Sequence, residues 1–190
     1  MEEILAFLNQ IFPLSPACIE YLASVVQFRR VEKNELILDF DEVNRNLYFI
    51  KTGFLRCYYM VNKKEVNDWF FWNNETVVSI GSFYRQLPSE DRIVAEEAGE
   101  LYFITKDQYD YAKRTFHEFA FIASELLEKY LVTFHDHARI LRKYEAAERY
   151  KIVLAKYPEM VQRIALWALA SWLNMKAETL SRVRARYARK

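Results

Sequence analysis

The stretch RIALWALASWLNMKAETLSRV, residues 163–183, decides the fold of this chain. Two helical patterns meet at Asn174, and apolar residues recur on one face of each. The faces carry Leu166, Leu169, Ala170 and Leu173 before the turn, and Leu180 and Val183 after it. A helix-turn-helix needs such faces, a small residue where its helices cross and a turn residue that tolerates a left-handed backbone. Ala170 and Asn174 meet the last two needs, because Asn adopts positive φ more readily than most residues.

The second helix of this motif carries polar residues on the face opposite Leu180 and Val183. A recognition helix presents its first turns to base edges, where Arg bonds guanine and Glu accepts from cytosine. Arginines further along meet phosphates, which gives affinity without sequence choice. The predicted DNA-contacting residues are Lys176, Ala177, Glu178, Thr179, Ser181, Arg182, Arg184 and Arg186, with Arg189 and Lys190 also on phosphates. The alternative is that Glu178 and Arg182 form only a surface ion pair, worth about a few tenths of a kcal/mol.

Charge is unevenly distributed along the 190 residues, although the formal net charge is only +1. From residue 158 onward seven Lys or Arg stand against two acids, a local net of +5 that leaves −4 for the rest. Such a split is typical of an appended unit that binds a polyanion.

Two cysteines, Cys18 and Cys57, lie far apart with no CxxC spacing. They do not supply a disulfide framework, a zinc site or the four ligands of an iron-sulfur cluster, and they fit a reducing cytoplasm. The first residues lack a basic region, and no stretch approaches 18 apolar residues. We therefore expect a cytoplasmic protein with no signal peptide and no membrane partner.

The pattern of the chain changes twice before the basic segment. Residues 1–28 predict helices, and residues 31–105 predict six to eight short antiparallel strands, because aromatic and β-branched runs recur between polar turns. After residue 106 no Pro or Gly occurs for 38 residues, which predicts a long helix. The fold class is therefore α+β, with a β-roll domain at residues 1–142 that includes the long helix, and a helix-turn-helix domain at residues 143–190.

The long helix carries apolar positions at alternating steps of four and three. This heptad pattern predicts a parallel dimer seam, formed by Phe116, Ala120, Ala123, Leu127, Tyr130, Phe134, His137 and Leu141. The alternative is a helix packed on its own domain. A helix of about 30 residues is about 45 Å long, more than a roll of this size can cover, and this favours the dimer.

This order of parts resembles the Crp/Fnr family of bacterial transcription regulators. The most specific stretch is LASWLNMKAETLSRVRAR, residues 169–186, and NLYFIKTGFLRCYY, residues 46–59, is similar to the family's hairpin around a turn glycine, here Gly53. The resemblance implies a cyclic-nucleotide-binding-like jelly roll (antiparallel double-stranded β-helix) as sensor and a homodimer through the long helix. It also implies a palindromic operator on double-stranded DNA, read in the Fnr manner by Glu178, Ser181 and Arg182, and RNA polymerase as a further partner.

The resemblance is poorest at the effector site. Cyclic-nucleotide binders of the family hold the phosphate with an Arg, and that position falls on or near Ser89, where Glu90 and Asp91 would repel an anion. Arg85 and Arg92 lie nearby and keep cyclic-nucleotide binding as an alternative. The candidate effector pocket comprises Ser79, Gly81, Arg85, Ser89, Glu90, Asp91 and Arg92. We expect a different small effector or none, and no metal or other cofactor.

Three other hypotheses compete with this interpretation. A haem sensor needs an axial His or Cys, but His117, His135 and His137 fall on the long helix, where histidines packed against protein are commoner. A cupin-type enzyme needs histidines on strands, and none lies between residues 31 and 106, so we expect no enzyme. A dimeric interaction module without DNA binding would be indifferent to replacement of Glu178 and Arg182.

Overall fold

The chain begins with two short helices, α1 (Glu2–Ile11) and α2 (Pro16–Val25), as the sequence predicts. The computed structural model describes residues 1–187. Ser15 caps α2, because its side-chain oxygen accepts a hydrogen bond from the Cys18 amide at 3.2 Å. Pro16 occupies the first helical position, where its missing N–H costs nothing.

A six-stranded sheet follows within the described residues, in agreement with the expected six to eight strands. Its strands are β1 (Gln27–Val31), β2 (Leu36–Leu38), β3 (Asn46–Val61), β4 (Lys64–Trp72), β5 (Thr76–Val77) and β6 (Asp91–Thr105). The order is β1-β6-β3-β4, with β2 on β6 and β5 on β3. Helix α3 (Ile80–Arg85) separates β5 from β6. Asn62 and Lys63, both at positive φ, make the tight turn between the two long strands β3 and β4.

Two glycines allow β3 and β6 to approach each other closely. Gly53 has a φ of 126°, and a Cβ at Gly99 would lie 2.3 Å from the Thr52 carbonyl oxygen. Only glycine fits both positions without movement of the backbone. Gly53 is therefore a position of close strand contact inside β3, and the hairpin turn lies nine residues later at Asn62.

The predicted long helix is interrupted at one residue. Helix α4 (Lys106–Thr115) ends where Phe116 adopts an extended backbone, and α5 (His117–Lys143) then continues for 27 residues. The Phe116 ring instead packs near the Tyr21 ring of α2, with 5.5 Å between centroids. The first predicted seam residue therefore lies outside α5.

The last third of the described chain is helical. Its helices are α6 (Ala146–Lys156), α7 (Pro158–Arg163), α8 (Leu166–Trp172) and α9 (Ala177–Tyr187). Pro158 ends α6 as predicted and occupies the first turn of α7. None of the helices in residues 1–187 has the length and apolar character needed to cross a bilayer.

Contacts divide the chain into two compact units. The first unit comprises Met1–Cys57 and Phe71–Tyr130, and the second comprises Tyr58–Phe70 and the chain from Leu131 onward. This division falls earlier in the chain than the predicted boundary after residue 142. The reason is that Phe134 and His137 pack against Trp69 and Trp172, so this part of α5 and the tip of the β3–β4 hairpin belong with the terminal helices.

Candidate nucleic-acid interface and effector site

Helices α8 and α9 form the predicted helix-turn-helix core. Leu169, Leu173 and Leu180 have no exposed surface, and Ala170 is buried where a larger side chain would separate the helices. Asn174 has a φ of 50°, which confirms it as the left-handed turn residue. The Met175 amide donates to the Ala170 carbonyl at 2.9 Å and closes the turn.

The outer face of α9 presents the polar residues predicted to contact DNA. Of these, Lys176, Ala177, Glu178, Ser181, Arg182 and Arg186 are exposed, and Thr179 and Arg184 are half-buried. Arg189 and Lys190 lie outside the described residues. Arg182 Nη2 is 3.6 Å from Glu178 Oε1, and these side chains are 67% and 78% exposed. So exposed a pair stabilises little, and both groups are accessible to a ligand.

Arg149 of α6 supports the turn, a role that sequence reasoning did not assign. Its Nη1 donates to the carbonyls of Leu173 and Asn174 at 3.0 and 3.2 Å, and its Nε donates to the Tyr144 carbonyl at 2.6 Å. In the sequence Arg149 is one more charge on a helix, so no local signal distinguishes it. The structure places it against the carbonyl oxygens that follow α5 and α8.

Strand β4 also supports α8. The Asn67 side chain donates to the Ala168 carbonyl at 3.1 Å, and its backbone amide donates to Ser171 Oγ at 3.1 Å. The Trp172 indole donates to the Asp68 carbonyl at 3.0 Å. Each polar group of this contact is therefore satisfied, which a buried interface requires.

His137 lies inside an aromatic cluster of the second unit. Its ring stacks on Trp172 with 4.2 Å between centroids and 11° between planes, and it meets the Trp69 ring edge-on. Its Nδ1 is buried and has no hydrogen-bond partner among the described residues. Burial lowers the pKa of His137 to about 4, although a hydrogen bond with the Trp172 carbonyl opposes this shift.

The predicted seam is accordingly corrected at four positions of α5, besides Phe116. Ala123 is buried in the core of the first unit, and the Tyr130 hydroxyl accepts from the Thr76 amide at 3.0 Å. Phe134 packs on the Trp69 ring, and His137 stacks on Trp172. These residues contact their own chain. The alternative weighed for the sequence, a helix packed on its own domain, therefore describes this face of α5.

A neighbouring face of α5 carries exposed apolar side chains. Leu127 is 40% exposed, Leu131 70% and Val132 60%, and the small residue Ser124 precedes them on the same surface. Leu127 belongs to the predicted seam, and Leu131 follows it by one helical turn. Leu127 and Leu131, one helical turn apart, therefore form a small exposed apolar area on one face of α5.

At the predicted effector pocket, polar side chains bond to one another. Ser79 Oγ donates to Asp91 Oδ2 at 2.6 Å, and Ser89 Oγ donates to the Asp91 carbonyl at 2.8 Å. The Ser79 amide donates to Asn44 Oδ1, and the Asn44 amide donates to Ser82 Oγ, both at 2.8 Å. Ser79, Ser89, Asn44 and Ser82 are all buried. These groups form a closed internal network of the roll.

The remaining pocket residues do not converge on this network. Arg92 bonds to Asp39 through two nitrogens and lies 4.4 Å over the Phe40 ring. Gly81, Arg85 and Glu90 are exposed. The predicted set is therefore brought together only in part, around Ser79, Ser89 and Asp91.

The first unit also contains an apolar cavity of about 50 Å³, lined by residues that include Leu8, Leu22, Phe49 and Ile122. Pockets for ordinary small-molecule ligands occupy about 300 to 1,000 Å³. This cavity is too small for a nucleotide. Within residues 1–187 no three His, Cys, Asp or Glu side chains cluster as metal ligands.

Comparison with solved structures identifies the fold. FixK2 from Bradyrhizobium japonicum gives a TM-score of 0.70 at 19% identity, over 85% of this chain and 84% of its own. CLP, the c-di-GMP responsive global regulator of Xanthomonas campestris, gives 0.72 at 18% identity over 92% of each chain. A regulator from Eubacterium rectale assigned to the Crp/Fnr family gives 0.73 at 17%, over 94% and 88%.

The chain has the fold of the Crp/Fnr regulators. The predicted α+β class, with a β-roll followed by helices, is thereby confirmed. No protein-family model and no curated protein sequence matches the chain. Fewer than one residue in four of this chain is identical to the compared structures, and a fold shared at this level does not by itself determine function.

Proposed function

We propose that this protein is a DNA-binding transcription regulator of the Crp/Fnr type, which binds a palindromic operator as a homodimer. The carrying observation is the outer face of α9, where Glu178, Ser181 and Arg182 are exposed directly above buried Leu180 and Val183. An Arg at this place bonds guanine in bidentate fashion, and a Glu accepts from cytosine while orienting that Arg. Arg184 and Arg186 contact phosphates.

A binding-site selection from random DNA with purified protein, followed by titration of the selected and a random duplex, tests base reading. Arg182→Ala weakens binding of the selected duplex by about 1 to 3 kcal/mol and relaxes preference at one base pair. Arg186→Ala weakens both duplexes alike and reduces the salt slope by about one. Lys151→Ala, which removes an exposed charge on α6, is the control. Identical behaviour of Arg182→Ala and Arg186→Ala on both duplexes contradicts base reading by Arg182.

The proposed dimer uses the exposed face of α5. Leu127, Leu131 and Val132 replace the inward-facing part of the predicted seam, because they are exposed apolar residues in the middle of this helix. A dimer that reads a palindromic operator meets two half-sites in major grooves about 34 Å apart.

A matched pair of substitutions tests this dimer. Leu127→Glu places a charge on the proposed face and gives monomers by light scattering. Leu36→Glu places the same charge on β2, at a residue that is 45% exposed against 40% for Leu127, and keeps the dimer. A dimeric Leu127→Glu protein would place the interface elsewhere.

We also propose that the roll binds no cyclic nucleotide. The hydroxyl groups of Ser79 and Ser89 already donate to Asp91, which supports a network that needs no ligand. In addition, the negative charges of Asp91 and Glu90 disfavour a phosphate. Calorimetric titration with cyclic AMP and cyclic GMP should give no saturable heat. A saturable isotherm that is lost in Arg92→Ala but retained in Arg29→Ala, another ion-paired arginine, would overturn this proposal.

A further inference from the structure

Arg149 makes three hydrogen bonds to backbone carbonyls from two different helix ends. Leu173 and Asn174 follow the end of α8, and Tyr144 follows the end of α5. The guanidinium bonds lie between 2.6 and 3.2 Å. One side chain therefore joins the carboxyl end of the long helix to the turn that precedes α9.

The chemistry of these carbonyls explains why an arginine occupies this position. The last carbonyls of a helix lack intrahelical partners and carry partial negative charge, so a cation there is favourable. The planar guanidinium presents several N–H groups in a fixed fork and reaches acceptors in different directions. A lysine keeps the charge but lacks this fork.

We propose that Arg149 is a positioning residue for base reading, which fixes the first turn of α9 relative to the end of α5. It acts through Leu173 and Asn174 and contacts no base itself. Because phosphate contacts carry no sequence information whereas base contacts depend on exact placement of side chains, its loss lowers sequence discrimination more than general DNA affinity. This inference rests on the proposed function only for its effect on DNA.

The first test replaces the fork and keeps the charge. Arg149→Lys is compared with Arg142→Lys, the same substitution at an exposed arginine of α5, on the selected and the random duplex. Arg149→Lys raises the Kd for the selected duplex about tenfold, because binding then has to restore the placement of the turn, at a cost on the order of one charge-assisted hydrogen bond. It leaves the random duplex within about twofold and the salt slope unchanged. Arg142→Lys leaves both values within about twofold.

A second measurement does not depend on DNA. Hydrogen exchange of the Met175 amide, which closes the turn onto the Ala170 carbonyl, becomes about tenfold faster in Arg149→Lys and stays at the wild-type rate in Arg142→Lys. An unchanged exchange rate would overturn the positioning of this turn by Arg149, whatever the protein binds. Faster exchange with equal loss on both duplexes would overturn the role in base reading. If the wild-type protein showed no sequence preference, the proposed function would be refuted. The exchange rate of the Met175 amide would still show whether Arg149 holds the turn.

Discussion

Acidification is expected to destabilise the second unit through His137. The imidazole is held neutral by burial, with a pKa lowered from 6.5 to about 4. The unfolded chain takes up a proton near 6.5, and the folded chain does not until about pH 4, so between these values the unfolded state binds more protons. Stability therefore falls as the pH falls through this window.

The magnitude follows from the two pKa values. At pH 5 the unfolded His137 is almost fully protonated and the folded one is about one tenth protonated. The difference corresponds to about 2 kcal/mol relative to pH 7, and it approaches about 3 kcal/mol near pH 4. A loss of this size is a large fraction of the stability of an ordinary domain.

Urea unfolding followed by tryptophan fluorescence measures this loss, since Trp69 and Trp172 contact the His137 ring. His137→Phe preserves a flat ring on Trp172 but cannot titrate. It loses the hydrogen bond to the Trp172 carbonyl, about 1 kcal/mol at every pH. Between pH 7 and pH 5, wild type should therefore lose about 2 kcal/mol more than His137→Phe.

Other groups titrate over the same range, so a second histidine variant is needed. His135→Phe removes an exposed histidine from the same helix and should show the same pH dependence of stability as wild type. If His137→Phe and His135→Phe lost equal stability between pH 7 and pH 5, burial of neutral His137 would not be the cause, and the reasoning would be refuted.

Three further substitutions probe individual contacts. Burial raises the pKa of Glu75 to about 7. As the pH rises from 4.5 to 7 the unfolded state releases its proton first, so this group alone lowers the stability by up to about 3 kcal/mol, a contribution opposite in sign to that of His137. Glu75→Gln should therefore raise the urea midpoint at pH 8 and not at pH 4. Asn174→Ala should cost about 1 kcal/mol in urea unfolding because of its φ of 50°, whereas Asn174→Gly should not. Gly99→Ala should cost about 3 kcal/mol, because its Cβ meets the Thr52 oxygen, and Gly81→Ala, with open space around it, should cost little in the same assay.

Features set by neighbouring residues could be predicted from the sequence. The helix-turn-helix depends on apolar spacing and on one residue with a left-handed backbone. Both features lie within about 20 residues of sequence around Asn174. The helices before the roll and the end of α6 at Pro158 follow from caps and proline, which act locally. These predictions needed no contact between distant segments.

The α5 seam shows where a local pattern is insufficient. Between Leu127 and Phe134, two apolar series fit the heptad spacing. One passes through Tyr130, with steps of three and four, and the other passes through Leu131, with steps of four and three. Amphipathic periodicity alone does not say which side of a helix a sheet will cover. The Tyr130 hydroxyl bonds to Thr76, 54 residues away, and this distant contact sets the register.

The contacts that support the helix-turn-helix core are equally absent from the sequence pattern. Arg149 bonds to carbonyls, which every residue possesses, so no residue type at the other end marks the contact. No Pro or Gly near Phe116 indicates that the helix is interrupted there. The effector network depends on Asn44 meeting Ser79 and Ser82, more than 30 residues along the chain.

The hairpin contact has a consequence for the order in which the protein is synthesised. Asn67 precedes its partner Ala168 by 101 residues, which takes a ribosome about 5 to 20 s at ordinary rates of translation. During this interval the nascent hairpin lacks helix α8, to which its polar groups bond in the folded protein. Met60 and Val61 are exposed near its tip. The second unit therefore completes its folding only after the first unit has been made, and until then the groups of Asn67 that bond to α8 bond to water.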